Sequence, residues 1–338
     1  MPIQGLVRLR TNQIGKQSAL LTAVAATRRV PWRDVVDYDP TRTDPDVDVG
    51  SLDPVIVPFS GFPNITWNPT GLVFYNDLPS RLAAGLMGGI TATGGGAAKT
   101  WTYQVASLTA DSFDYFTVES GDDTSATDGI QAYGGVADSL EETMDEGLGP
   151  WTFSDAWVFA GANLATDRTG ALTVDQTPTI AMGDETDITM DATAGSIGVT
   201  PLTDALHAAT IRVSNNLDLK RFANGSNGRR KLSGYGRGAR AIDLVLTFAK
   251  TTETIAERAT LDDEPVPSRF FQVRTISTIL AQAATPYSYS RRGAFRLFTA
   301  EDGESGGNAT IILTYRAYYD STLGYAYRAS VVNTRSTL

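Results

Sequence analysis

The chain has 338 residues, 42% of them hydrophobic, and a formal net charge of −10, enough apolar material for one large core or two modest ones. It has no cysteine and a single histidine, His207, which excludes disulfides, thiolate chemistry and multi-histidine metal centres. The negative charge argues against an overall grip on nucleic acid, and neither a membrane span nor an export leader is expected from the apolar runs or the opening residues.

Asp outnumbers Glu 28 to 10 and there are 32 Gly, a balance that favours turns over helices and predicts many short strands. Residues 1–66 read as an extended arm. Residues 6–10 could make one strand and 17–26 form a mild apolar run. Residues 31–63 hold six prolines and seven aspartates with little periodicity. Such a stretch cannot bury enough surface to fold alone, so it is expected to lie across something else, in a self-assembling protein a neighbouring subunit. Within it, Asp44, Asp46 and Asp48 echo the start of a calcium loop. Val49 and Val55 stand where that loop needs its turn glycine and bidentate acid, so the three could take up calcium opportunistically or serve as an acidic, solvated linker.

Residues 72–75 predict a short strand running into a helix. Asp77 can cap it, Pro79 suits its first turn, Leu78, Leu82 and Leu86 repeat at one-turn spacing, and Gly88-Gly89 stop it. Residues 93–100 superficially resemble a phosphate loop, but Thr93 and Ala98 occupy positions that require glycine, and a strand follows where a helix is needed. The segment reads as a glycine hinge.

From residue 101 the apolar period changes to two, in 101–105 and again in 113–119. In 151–159 the side chains of Trp151, Phe153, Trp157 and Phe159 share a face broken only by Asp155, with Thr152, Ser154 and Ala156 opposite. That pattern predicts a half-buried antiparallel strand, paired with residues 130–142 through the turn at 144–150. The acids Glu141, Glu142, Asp145 and Glu146 could suggest a glycosidase pair, but adjacent acids on a strand point to opposite faces and acids beside a turn are ordinarily solvated.

His207 lacks the nucleophile elbow of a hydrolase. Strands are predicted at 210–219, with Ile211 and Val213 inward, and at 240–248, with Ile242, Leu244, Leu246 and Phe248 on one face. A short helix capped by Thr254 follows at 254–261, then strands at 270–279, 294–298 and 309–319, separated by turns such as 224–228 and 301–307. Arg229, Arg230, Lys231, Arg237 and Arg240 form the one basic patch, in a predicted hairpin. Complementary contact with an acidic neighbour is preferred for it over phosphate binding. The predicted fold is mainly β: an antiparallel β-sandwich or partly open barrel with one or two short helices, divided into an arm (1–66), a sandwich domain (67–330) and a C-terminal tail (331–338). No catalytic, cofactor or metal-ligand residues are identified.

Several segments together carry a family likeness. They are Gly5-Leu6-Val7-Arg8-Leu9-Arg10 opening the arm, Gly71-Leu72-Val73-Phe74-Tyr75-Asn76-Asp77-Leu78-Pro79 heading the helix, Asp111-Ser112-Phe113 leading to Val118-Glu119-Ser120-Gly121-Asp122, and Tyr133-Gly134-Gly135-Val136-Ala137-Asp138-Ser139-Leu140. In the second half, Ala209-Thr210-Ile211-Arg212-Val213-Ser214-Asn215-Asn216-Leu217 and Ala241-Ile242-Asp243-Leu244-Val245-Leu246-Thr247-Phe248 complete it. In this layout the chain resembles the tail tube (major tail) proteins of long-tailed, non-contractile bacteriophages, over most of residues 67–320. The resemblance implies a virion protein made in the host cytoplasm, six copies to a ring, with rings stacked into a hollow tail tube. It also implies tape-measure, tail-terminator and distal-tail partners, and DNA that passes without specific binding. A lumen for DNA should be acidic, and Asp114, Glu119, Asp138 and Glu141 are its candidate lining. The alternatives are another virion part (head decoration or head–tail joining), a carbohydrate-binding β-sandwich, and a hydrolase.

Overall fold

The structure is a computed structural model. It describes residues 10–43, 46–47, 55–56, 59–105, 112–122, 129–147, 149–172, 175, 178–202, 206–220 and 232–338. The chain opens with β1 (Arg10–Gln17), β2 (Arg28–Val30) and β3 (Asp37–Asp39), then the short strands β4 (Arg42–Thr43), β5 (Asp46–Val47), β6 (Val55–Ile56) and β7 (Phe59–Ser60). β8 (Asn64–Trp67), β9 (Thr70–Leu72), helix α1 (Leu78–Gly85), β10 (Lys99–Val105), β11 (Tyr115–Asp122) and β12 (Gly129–Met144) follow. Next come β13 (Thr152–Val158), β14 (Gly161–Thr166), β15 (Thr186–Asp191), β16 (Leu206–Ser214), β17 (Leu217–Lys220), β18 (Gly234–Arg237) and β19 (Ala241–Ala249). Helix α2 (Thr252–Ala259), β20 (Ser268–Gln282), β21 (Thr285–Ser305), β22 (Asn308–Tyr318) and β23 (Tyr327–Asn333) complete the described chain.

The fold is mainly β and sandwich-like; among the described residues the strands pair antiparallel and close no barrel. Two long strands change partners along their length and so join three sheet layers. The first half of β12 pairs with β11 and β14, extending through β1 to β2. Its second half pairs with β13 and β16 in the largest layer, which runs from β8 and β9 through β13, β12, β16, β19 and β22 to the distal half of β21. The proximal half of β21 belongs to a third layer, β15–β20–β21–β23–β10. β12 turns between layers at Gly134, whose φ is +67°. A Cβ there would stand 2.6 Å from both the Ala160 Cβ and the Leu20 carbonyl oxygen, so only glycine fits the bend.

The predicted alternation holds in the core. Trp151, Phe153, Trp157 and Phe159 are buried while Thr152 and Ser154 face solvent, and β13 pairs with β12 at Glu142↔Phe153. Ile242, Leu244, Leu246 and Phe248 of β19 are all buried. The turn expected at 301–307 is tighter than predicted. β21 continues to Ser305, and Gly306 and Gly307, with φ of +57° and +83°, turn the chain into β22, as a two-residue turn with positive φ at both positions requires.

Three expectations need correction. The boundary at residue 66 cuts through the core. β1 pairs along its whole length with β11, and Trp32 stacks on Trp67 with ring centroids 5.4 Å apart. Between residues 42 and 60 the described strands pair among themselves, β4 with β7 and β5 with β6, while β8 returns to the main sheet beside β3 and β13. The tail boundary also moves, since β23 runs to Asn333, whose amide donates to the Tyr75 carbonyl at 2.8 Å, and the Trp101 indole donates to the Arg335 carbonyl. Finally, the helix caps differ. The Asp77 side chain makes no cap hydrogen bond and instead pairs with buried Arg28 at 2.8 Å. α2 is capped by Thr251, with Thr254 at the third helical position closing a capping box.

Candidate functional site: a buried ionic core and an open periphery

A group of charges occupies the middle of the molecule. Arg81 projects from α1 between β12 and β13. Its Nε and Nη2 donate to both oxygens of Asp155 at 2.8 and 2.7 Å, and its Nη1 donates to Glu142 at 3.0 Å. Arg291 of β21 reaches the other Glu142 oxygen at 2.9 Å and the Thr275 hydroxyl at 3.2 Å, and the Tyr289 hydroxyl donates to Glu142. All four charged residues are at most 5% exposed. The guanidinium of Arg81 lies 4.0 Å from the centre of the Phe153 ring, and that of Arg291 lies 4.0 Å from Trp151.

Two cations and two carboxylates cancel, and bidentate geometry offsets the desolvation that burial imposes. Burial pushes the Asp155 carboxyl up from its ordinary range while Arg81 pulls it back, and burial likewise raises the Tyr289 hydroxyl. The void beside Glu142, between Leu86, Ile211 and Tyr327, measures about 10 Å³, room for no more than a water. The cluster therefore ties α1 to three strands and offers no space for a substrate. Its trace in the sequence is an acid interrupting an aromatic strand face at Asp155 and an arginine within the apolar stripe of a helix at Arg81; Arg291 has no such signal.

The expected site residues scatter. Glu119 is 2% exposed and accepts from the backbone nitrogens of Ala26 and Thr169 at 3.2 and 2.7 Å, so it braces the N-terminal segment and lines no surface in the subunit. Asp114 precedes its strand and pairs with Lys16 at 2.8 Å. Asp138 is half-buried and accepts from the Leu217 nitrogen. Only Glu141 stands on an exposed sheet face, paired with Arg212 at 2.8 Å. Two residues of the basic patch are described, and they lie together. Arg237 and Arg240 lie over the Phe113 ring at 5.2 and 6.0 Å, and Arg240 donates to Asn215. Arg229, Arg230 and Lys231, like Asp44 and Asp48, lie outside the described residues; the strand of Asp46 pairs with that of Ile56.

His207 Nδ1 is 2.9 Å from Glu146, and the Ser305 hydroxyl donates to that same carboxylate at 2.6 Å. The acid stands between the histidine and the serine, whereas hydrolytic activation needs the histidine in the middle. Among the described residues no group of three or more His, Asp or Glu is arranged to hold a metal, and no helix is long and apolar enough to cross a membrane. Two surface cavities among the described residues, of about 410 and 300 Å³, are open, the first walled by Pro31, Arg33 and Phe153 and the second by Glu141, Ser154 and Arg212.

The periphery is less complete. Among the described residues β14 pairs only with β12 and exposes Leu164, and residues 299–305 of β21 pair only with β22. The hairpin of β20 and β21 carries Ile279 and Leu280 near its tip, each 54% exposed. Such edges and apolar tips are sites of association. The sequence matches no protein-family model and no curated protein.

Proposed function

We propose that the chain is a non-enzymatic structural subunit that assembles with copies of itself into rings of six, stacked as the tail tube of a long-tailed, non-contractile bacteriophage. The observation that carries this reading is the set of pairing edges on β14 and distal β21 that have no second strand among the described residues, together with an exposed apolar hairpin tip. A ring of copies pairs such edges and removes the liability they pose to a monomer. The strand pairs β4–β7 and β5–β6, which among the described residues join no other strand, are a second element suited to clasping a neighbour. The carbohydrate-binding alternative loses its main support, since all five tryptophans are at most 4% exposed and sugar stacking needs an open aromatic face.

In a tail, the tube would abut tape-measure, terminator and distal-tail proteins and conduct DNA without specific binding. Electron microscopy of the concentrated recombinant chain tests the reading. Hollow rods of uniform diameter are expected. Discs or shells would point to a head decoration or joining protein, and a monomer at every concentration would overturn self-assembly.

A further inference from the structure

Strand register places charges differently on two exposed sheet faces. In the largest layer it sets Glu141 opposite Arg212, Arg212 opposite Asp243, and Asp243 opposite Arg316. Ion pairs of 2.8 Å close between Glu141 and Arg212 and between Asp243 and Arg316. In the layer β15–β20–β21–β23–β10 it sets Arg292 opposite Arg328, with Arg274 two residues along β20 from Gln272, the other neighbour of Arg292. Asp187 lies opposite Arg274 but closes no ion pair with it. Among the described residues the side chains of Arg274, Arg292 and Arg328 form no ion pair or hydrogen bond, and the Nε of Arg328 is buried without a partner. Like charges directly opposed across a sheet are destabilising, and arginine cannot discharge. In a chain with ten more acids than bases, the middle of this face, where Arg292 stands opposite Arg328, carries unpaired positive charge, with Asp187 at its β15 edge.

The complementary feature lies after α2. Asp262, Asp263 and Glu264 are consecutive and exposed, and none closes an ion pair among the described residues; Leu261 and Ile255 beside them are 36% and 42% exposed. We infer that the Arg274–Arg292–Arg328 face receives the Asp262-Asp263-Glu264 corner of a second copy of this chain. Guanidinium–carboxylate pairs would supply the missing partners, and the two apolar side chains would exclude water around them. Because the two patches differ, the contact is head-to-tail and generates rings or filaments. The inference rests on the self-assembly reading and assigns that reading a contact.

The experiment measures the concentration at which the full chain assembles, by light scattering and microscopy. It compares wild type, R292E/R328E, the milder R292Q/R328Q, D262R/D263R/E264R, and the combination of R292E/R328E with D262R/D263R/E264R, each checked for native circular dichroism. Wild-type assembly should weaken with added salt. Each one-sided variant should raise the required concentration about tenfold or more, and the combined swap should restore it. Assembly of R292E/R328E and R292Q/R328Q at the wild-type concentration would overturn the inference while leaving self-assembly standing. Loss in each one-sided variant without restoration in the combined swap would overturn the pairing of these two patches. A wild-type chain that never assembles would instead remove the reading beneath it.

Discussion

Arg81→Met is the sharpest perturbation of the interior. It deletes three charge-assisted hydrogen bonds, at 2.7, 2.8 and 3.0 Å, and removes the cation paired with a carboxylate that is 2% exposed. Glu142 keeps Arg291; Asp155 keeps no cation among the described residues. Breaking a buried pair from one side costs about 3–5 kcal/mol, against a total stability of about 5–15 kcal/mol for a typical domain. The double variant R81M/D155L removes both charges and should recover most of that loss, because the expense lies in the orphaned carboxylate. Urea unfolding of the four members of the cycle, at a protein concentration too low for assembly, isolates the coupling. The pH dependence follows from the raised pKa of Asp155. Without Arg81 the folded state holds the carboxyl proton to higher pH than the unfolded chain, so the R81M deficit is largest near neutrality and shrinks as pH falls into the range where the folded carboxyl protonates. A cost for R81M below about 1 kcal/mol, with no coupling to Asp155, would refute this account of the cluster.

Asp191 accepts from the backbone nitrogens of Gly198, Val199 and Thr200 at 2.9, 3.2 and 3.1 Å. Desolvation works to raise its pKa, but these bonds prevail and hold it below the ordinary carboxylate range. D191N should lower stability by about 1–3 kcal/mol near neutral pH, and the gap from wild type should close as pH falls through that lowered pKa, as thermal unfolding at graded pH will show. Gly134→Ala forces a Cβ into a contact of 2.6 Å at positive φ and should cost more than about 1 kcal/mol in chemical unfolding; an unchanged midpoint would mean the bend is not required. I279D/L280D should leave subunit stability within about 0.5 kcal/mol but suppress assembly, measured by sedimentation. Assembly at the wild-type level would remove the hairpin tip from the interface.

Apolar alternation was legible wherever one sheet face is dry, as in β13 and β19, because a period of two survives without tertiary information. β1 shows why the N-terminal segment was misread. Its sequence, Arg-Thr-Asn-Gln-Ile-Gly-Lys-Gln, has no apolar pattern, yet Asn12, Gln13 and Gln17 are at most 4% exposed. The Asn12 amide donates to the carbonyls of Trp32 and Asp34 at 2.8 and 2.7 Å. Burial there depends on hydrogen bonds to residues twenty positions away, and nothing local reports them. Glu119 is not the surface acid expected, for a related reason. Strand membership gives a residue's parity, but not which face a second layer covers, and for Glu119 that layer is the segment mistaken for an arm.

The ionic core also bears on register, and its two carboxylates do not contribute equally. A one-residue slip exchanges the faces of a strand. In β12 a slip would replace Glu142 by its neighbour Glu141 or Thr143, and Glu141 supplies another carboxylate. In β13 the neighbours of Asp155 are Ser154 and Ala156, and either would leave Arg81 short of its bidentate partner. The Arg81–Asp155 pair therefore discriminates the native β13 register more strongly than the Glu142–Arg291 pair does, a use of buried charge in which specificity is gained at little net stability. In R81M/D155L, expected to be nearly as stable as wild type, amide exchange on β13 should become faster and heterogeneous while β19, remote from the pair in sheet order, keeps its protection. Uniform native protection of β13 in that variant would show that the aromatic face alone sets the register, and that the buried pair serves only to hold α1.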